Sequence, residues 1–166
     1  MKIGLLSDTH GDLDPRIKDY FKSVDQIWHA GDIGSEEIIE ELKAFKPCKI
    51  VYGNIDTPEI RRQTFFIERF NCDGVEVLMT HIGGKPGKYS KELYKELETN
   101  GSPDLFVCGH SHILLVKMDK RHNMLWMNPG ACGFKGFHAI RTILRFEINS
   151  GKIENLEAIE LGKRGR

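Results

Sequence analysis

Five short apolar runs in this sequence end in the same way. Leu6 is followed two residues later by Asp8, Ala30 by Asp32, Tyr52 by Asn54, Met79 by His81 and Cys108 by His110. The residue between is small each time: Ser7, Gly31, Gly53, Thr80 and Gly109. Two of the ends carry a further donor at the next alternate position, His10 after Asp8 and His112 after His110. Imidazole, carboxylate and amide groups without a thiolate suit Mn²⁺, Ni²⁺, Fe²⁺ or Zn²⁺ and disfavour Cu⁺ or an iron–sulfur cluster. Asp8, His10, Asp32, Asn54, His81, His110 and His112 are too many donors for one tetrahedral zinc. They fit two divalent ions that share one carboxylate, each keeping room for water or substrate.

Taken singly, each piece has an ordinary explanation. Gly31-Asp32 reads as an Asx-turn, and Gly53-Asn54 with Asp56 as a cap for the next segment. The conjunction carries the argument, because a mostly parallel sheet gathers ligands outside the carboxyl ends of its strands. On an extended backbone the i, i+2 spacing would also place Asp8 with His10, and His110 with His112, on one side.

The elements that must position these residues follow from periodicity. Ile3–Leu6, Ile27–Ala30 and Ile50–Tyr52 read as strands, separated by helices. Asp14 and Pro15 start the first helix, with Ile17, Tyr20, Phe21 and Val24 on one face, and Ser35 caps the second. Alternation of strand and helix predicts a parallel sheet with crossover helices. The second half reads as hairpins. Thr64–Phe70 and Val75–Met79 flank an Asp73-Gly74 turn, Ile113–Met118 precedes Met124–Met127, and Ile140–Ile148 precedes Ile153–Leu161. Between these lie a helix over Ser90–Thr99 and a short strand at Leu105–Cys108. In the Ile140–Ile148 strand, Ile140, Leu144, Phe146 and Ile148 share one face, with Arg141, Arg145 and Glu147 on the other. The reading is one α/β domain over residues 1–161, parallel first and antiparallel second, with helices outside and a polar tail at 162–166.

Composition bounds the function. The chain has 166 residues, 40% hydrophobic and 29% charged, which is ordinary globular usage and not that of a disordered or fibrous chain. Lys plus Arg equals Asp plus Glu at 24 each, so the formal net charge is zero. Extended nucleic-acid or membrane-surface binding needs a basic excess, and neither is expected here. Cys48, Cys72, Cys108 and Cys132 form no C-x-x-C pair and read as reduced structural thiols of a cytoplasmic protein. The opening Met1–Asp8 turns polar too early for a signal peptide. Apolar strand edges in the second half leave a homo-oligomer open.

The combination Asp8-x-His10, Gly31-Asp32, Gly53-Asn54, Thr80-His81 and Gly109-His110-x-His112, in this order, resembles the calcineurin-like metallophosphoesterases. The opening Met-Lys-Ile-Gly-Leu-Leu-Ser-Asp-Thr-His-Gly and Asn128-Pro129-Gly130 are similar to the small phosphodiesterase branch, which also contains the Vps29 retromer subunit. The resemblance spans about residues 2 to 150. It implies two mixed β-sheets packed as a sandwich flanked by α-helices, with a dinuclear site at the strand ends. It further implies one metal held by Asp8, His10, Asp32 and His112, and another by Asp32, Asn54, His81 and His110. The expected cofactors are two divalent ions, Mn²⁺ first, and the expected substrate is a small phosphodiester. The nucleophile would be a metal-activated water, with no protein nucleophile assigned. Asp56 and Asn128 are candidate supports for the ligands.

Two departures stand out. The residue after the metal-binding Asn is often a histidine that helps protonate the leaving group, and here it is Ile55. The Asp common three residues after the bridging Asp is Ser35 here. Both leave slow turnover, or a demand for a good leaving group, as an expectation. A Vps29-like protein-interaction scaffold with residual metal binding is therefore the alternative. Of the remaining histidines, His29 reads as a satisfied strand-end residue, His122 as a solvated turn residue and His138 as the start of the last hairpin. The Gly83–Lys88 stretch reads as a basic surface loop.

Overall fold

The computed structural model describes residues 1–165. Its strands are β1 (Lys2–Leu6), β2 (Gln26–His29), β3 (Cys48–Ile50), β4 (Ile67–Cys72), β5 (Val75–Thr80), β6 (Gly84–Lys85), β7 (Lys88–Tyr89), β8 (Leu105–Val107), β9 (Leu114–Asp119), β10 (Met124–Pro129), β11 (Ile140–Asn149) and β12 (Lys152–Lys163). The helices are α1 (Arg16–Phe21), α2 (Glu36–Phe45), α3 (Pro58–Gln63) and α4 (Lys91–Asn100). One five-stranded sheet runs β12-β11-β1-β2-β3 and the other β4-β5-β8-β10-β9.

The sequence pattern explains the layers. Ile3, Leu5, Trp28 and Ala30 point from the first sheet toward Val77, Met79, Leu105, Val107 and Met127 of the second, forming the buried middle of the sandwich. The opposite face of the first sheet, with Leu6, Ile27 and Ile50, is covered by Ile17 and Phe21 of α1, Ile38, Ile39 and Leu42 of α2, and Ile60 of α3. On the outer face of the second sheet, Leu93 and Leu97 of α4 cover Leu78, Phe106 and Trp126. Strands apolar on both faces are what a four-layer α/β/β/α arrangement demands.

Parallel and antiparallel pairing does not divide at mid-chain. β1, β2 and β3 are parallel, but β11 returns to lie antiparallel beside β1. In the second sheet β5, β8 and β10 are parallel, with β4 and β9 antiparallel at the two edges. Hairpin signals report local pairs only, so the return of β11 to the first sheet is decided by long-range contact. That return also changes the reading of Arg141. It is buried on the helix-covered face, where its Nη1 donates to Asp14 Oδ2 at 2.8 Å, while Ile140 is exposed. β12 extends two residues into the expected tail, and Arg164 N–H donates to Ala139 O at 3.0 Å.

Candidate metal centre

Backbone pairing continues beyond the strands and draws their ends together. Asp8 N–H donates to Gly31 O at 2.9 Å and His10 N–H to Asp32 O at 3.0 Å, which locks the turn after β1 to the turn after β2. Gly109 N–H donates to His81 O at 3.0 Å and Gly133 N–H to Asp8 O at 3.1 Å, so the ends of both sheets meet at one edge.

The expected i, i+2 geometry is corrected there. Asp8 and His10 have φ of 57° and 51°, His110 and His112 have 67° and 58°, and Asp32 has 54°. These are left-handed turn conformations, sparsely populated by non-glycine residues and costing about 1–3 kcal/mol each when the surroundings impose them. The alternation of an extended strand therefore does not apply. His110 and His112 belong to different clusters: Asp8, His10 and His112 bring donor atoms within 4.8 Å of one another, as do Asp32, His81 and His110. The small residues before the donors have a steric cause. A Cβ at Gly53 would collide with the Asp32 carboxylate, and one at Gly109 with Ser7 Oγ and the Asp8 carboxylate.

Distances show how the clusters join. His112 Nε2 lies 3.2 Å from Asp8 Oδ1 and 3.2 Å from His10 Nε2. His81 Nε2 lies 3.2 Å from Asp32 Oδ1, while Asp32 Oδ2 is 3.9 Å from His10 Nε2. Asp32 thus presents one oxygen to each cluster. Ile55 N–H donates to Asp32 Oδ1 at 3.2 Å, so the backbone at this departure position orients the shared carboxylate although the side chain cannot transfer a proton. Asn54 is exposed and lines a cleft of about 240 Å³ together with His81.

The residues fit divalent ions. Asp8 Oδ1 and His81 Nε2 are buried, 3.9 Å apart, and have no hydrogen-bond partner. A buried polar atom without a partner costs about 1–3 kcal/mol, more for a charge, and a cation between them would satisfy both.

Hydrogen bonds also select the tautomers. His81 Nδ1 lies 2.7 Å from Ala30 O, which can only accept, so Nδ1 carries the proton and Nε2 offers a lone pair. His138 repeats the logic at one remove. Its Nε2 lies 3.1 Å from Gly133 O and so donates, leaving Nδ1 to accept from His112 Nδ1–H at 3.2 Å. His112 Nε2 is left free for a metal. The sequence reading missed this role; a histidine in the loop closing onto the strand ends was its only signal. His29 is the satisfied residue expected. Its Nδ1 accepts from Gly31 N–H at 3.1 Å and its Nε2 donates to Thr9 Oγ1 at 2.9 Å.

Burial and charge pull in opposite directions across the centre. Desolvation lowers the pKa of His10 and of His110, favouring the neutral ligand form. Burial alone would lower His81 too, but its contact with Asp32 and the charge of Asp8 outweigh it and raise the value. Asp32 is opposed by burial, yet His81 holds it below the usual carboxylate range.

Asp56 and Asn128 act on backbone. Asp56 accepts from Gly34 N–H at 2.8 Å and Gly53 N–H at 2.7 Å, tying the turn that carries Asp32 to the one that carries Asn54. Asn128 Nδ2 donates to Gly109 O at 2.7 Å and its Oδ1 accepts from Gly130 N–H at 2.9 Å, bracing the turn of His110 and His112. His122 lies in the turn between β9 and β10 as expected, but half-buried instead of solvated. Its Nδ1 pairs with Ser102 Oγ at 2.9 Å and its ring packs edge-on to Tyr89.

Comparison with known proteins identifies the family and the fold. A model of the calcineurin-like phosphoesterase superfamily domain matches residues 1–151. A probable metallophosphoesterase of Methanothermobacter thermautotrophicus is 32% identical over 143 residues, covering 79% of this chain and 77% of that protein. An archaeal phosphodiesterase structure aligns with a TM-score of 0.76 at 23% identity, over 97% of this chain and 100% of the other. Entamoeba histolytica Vps29 complexed with Zn²⁺ aligns with a TM-score of 0.69 at 16% identity, over 96% and 99%. With a family model matched over residues 1–151 and a relative 32% identical over most of both chains, the chain belongs to the calcineurin-like phosphoesterase superfamily.

Proposed function

We propose that this protein is a phosphodiesterase that uses two divalent metal ions. The observation that carries the reading is the pair of donor clusters around Asp32, with Asp8 Oδ1 and His81 Nε2 left as buried atoms without partners. Asp8, His10, Asp32 and His112 would hold one ion and Asp32, Asn54, His81 and His110 the other, with Mn²⁺ the first candidate. When bound, such ions neutralise phosphate oxygens and acidify water toward a pKa near ~7. The protein's own part is positional: left-handed turns aim the donors, Ala30 O and His138 set the histidine tautomers, and Ile55 N–H orients Asp32. No side chain is needed as nucleophile.

Preference for a small diester draws on the clefts. One of about 240 Å³ runs past His81 and Asn54, another of about 580 Å³ past His110, and Ile82 lines both. Two clefts that each include donors of the centre give space for two ester arms, whereas a monoester needs one. A cytoplasmic location agrees with the four unpaired cysteines, three of them buried.

The test is hydrolysis of bis-p-nitrophenyl phosphate by metal-stripped protein reconstituted with Mn²⁺, beside the His81→Ala variant. Metal-dependent turnover that the variant loses is expected; undiminished turnover in the variant overturns the assignment. The second reading, a protein-interaction scaffold, draws on the Vps29 fold neighbour and on Ile55 standing where an acid would help. It predicts metal binding with silence across Mn²⁺, Ni²⁺, Fe²⁺ and Zn²⁺.

A further inference from the structure

The stretch Gly83-Gly84-Lys85-Pro86-Gly87-Lys88 folds as the β6–β7 hairpin and walls one side of the 580 Å³ cleft. Ile113 and Leu115 line the same cleft, as does Trp126, which is 1% exposed. His110 lines this cleft and also belongs to the cluster with Asp32 and His81, so the cavity opens directly from the metal centre. Its volume lies in the range that holds small-molecule ligands, about 300–1,000 Å³, and exceeds what a phosphoryl group alone fills.

The lining defines the chemistry of an occupant. Ile82 and Ile113 are 37% and 66% exposed, large apolar side chains held in water beside a polar centre. Tyr89 is half-buried and lies over Trp126 with the rings 23° from parallel, giving the cleft an aromatic side. The serine and asparagine side chains there already take part in the fold's own hydrogen bonds. Ser90 Oγ accepts from Leu93 N–H, Ser111 Oγ from Ile113 N–H, and the Asn128 amide is bound to Gly109 and Gly130. The lining contains no carboxylate, and Lys85 and Lys88 have no ion-pair partner among the described residues, so the cleft suits an anion on approach and repels a cation.

We propose that this cleft seats one ester arm of the substrate and that the arm is an uncharged apolar group, aryl in its simplest form. The inference rests on the phosphodiesterase reading and adds a substrate class to it. Calorimetry on the Mn²⁺-loaded protein compares phenylphosphonate with methylphosphonate, which share the metal-binding head and differ only in the arm. Phenylphosphonate is expected to bind at least ~10-fold more tightly, from partial burial of the ring. In Ile113→Asp, at an exposed position where folding is tolerant, the ratio should fall to within about 2-fold of one. Equal affinities in the unaltered protein, or a preference that survives Ile113→Asp, overturn the cleft while leaving the phosphoesterase reading in place. Failure of both phosphonates to bind overturns that reading and this inference together.

Discussion

Two groups of buried carboxylates lie on the first sheet of this protein, and they are finished to different degrees. Asp14, 6% exposed, is completely answered. It accepts from Arg16 N–H at 3.0 Å, from the Arg16 side chain at 3.1 and 2.7 Å, and from Arg141 at 2.8 Å. Asp8 and Asp32, 0% and 3% exposed, face four histidines and no Lys or Arg, and one Asp8 oxygen has no partner. The first group is a bond inside the fold. The second is answered only by histidines and backbone, and it sits on left-handed turns of the kind found at functional sites.

The contrast is broken most strongly by Asp32→Asn. Turnover of bis-p-nitrophenyl phosphate with Mn²⁺ is expected to fall at least ~10³-fold, since the shared ligand loses its charge. The metal-free melting temperature should fall much less than in Asp14→Asn, because no Lys or Arg answers Asp32 and the asparagine keeps an oxygen for Ile55 N–H. A large drop in metal-free stability would mean that Asp32 works like Asp14.

Asp14→Asn should do the reverse. Removing one partner of a buried pair costs about 3 kcal/mol, or roughly 6–12 °C in melting temperature for a chain of this size, with or without metal. Its pH dependence has a definite sign. The Arg16 hydrogen bonds, joined by Arg141, overcome burial and hold the folded-state pKa of Asp14 below its ordinary value. The stabilisation is therefore present above the unfolded pKa of about 3.9 and is lost as pH falls through the folded value. Denaturant titrations should show a constant gap between the variant and the parent from about pH 5 to 8, narrowing below about pH 4.

His138→Ala sharpens the comparison with a smaller effect. Loss of the acceptor that fixes the His112 tautomer should weaken Mn²⁺ binding by about 10–100-fold in calorimetry. His138→Asn, whose amide oxygen can accept the same proton, should recover part of it. An unchanged affinity in His138→Ala would leave His138 as packing only.

Much of this was legible before any fold was seen, because chemistry at strand ends is written locally. The glycine before Asp32, Asn54 and His110 is a steric requirement, so Gly53-Asn54 and Gly109-His110 carried the site in two letters each. Asp73-Gly74 and Ser90 marked a hairpin and a helix start that the structure keeps. Helix α3 goes unread in the sequence: its six residues give no periodicity, although Thr57-Pro58, whose hydroxyl caps Ile60 N–H, marks its start.

What the sequence by itself determined is the donor set, its order and the alternation of buried runs that puts those donors at strand ends. Tertiary structure alone decided that left-handed turns, and not strand alternation, part His110 from His112 in the way the resemblance implies, and that His138 sets the proton on His112. It also decided that Arg141 points inward to Asp14. The reason is range. Side-chain type and i, i+2 spacing are properties of a few neighbouring residues, whereas left-handed turns and hydrogen bonds across 26 to 127 residues exist only once two sheets have closed on each other.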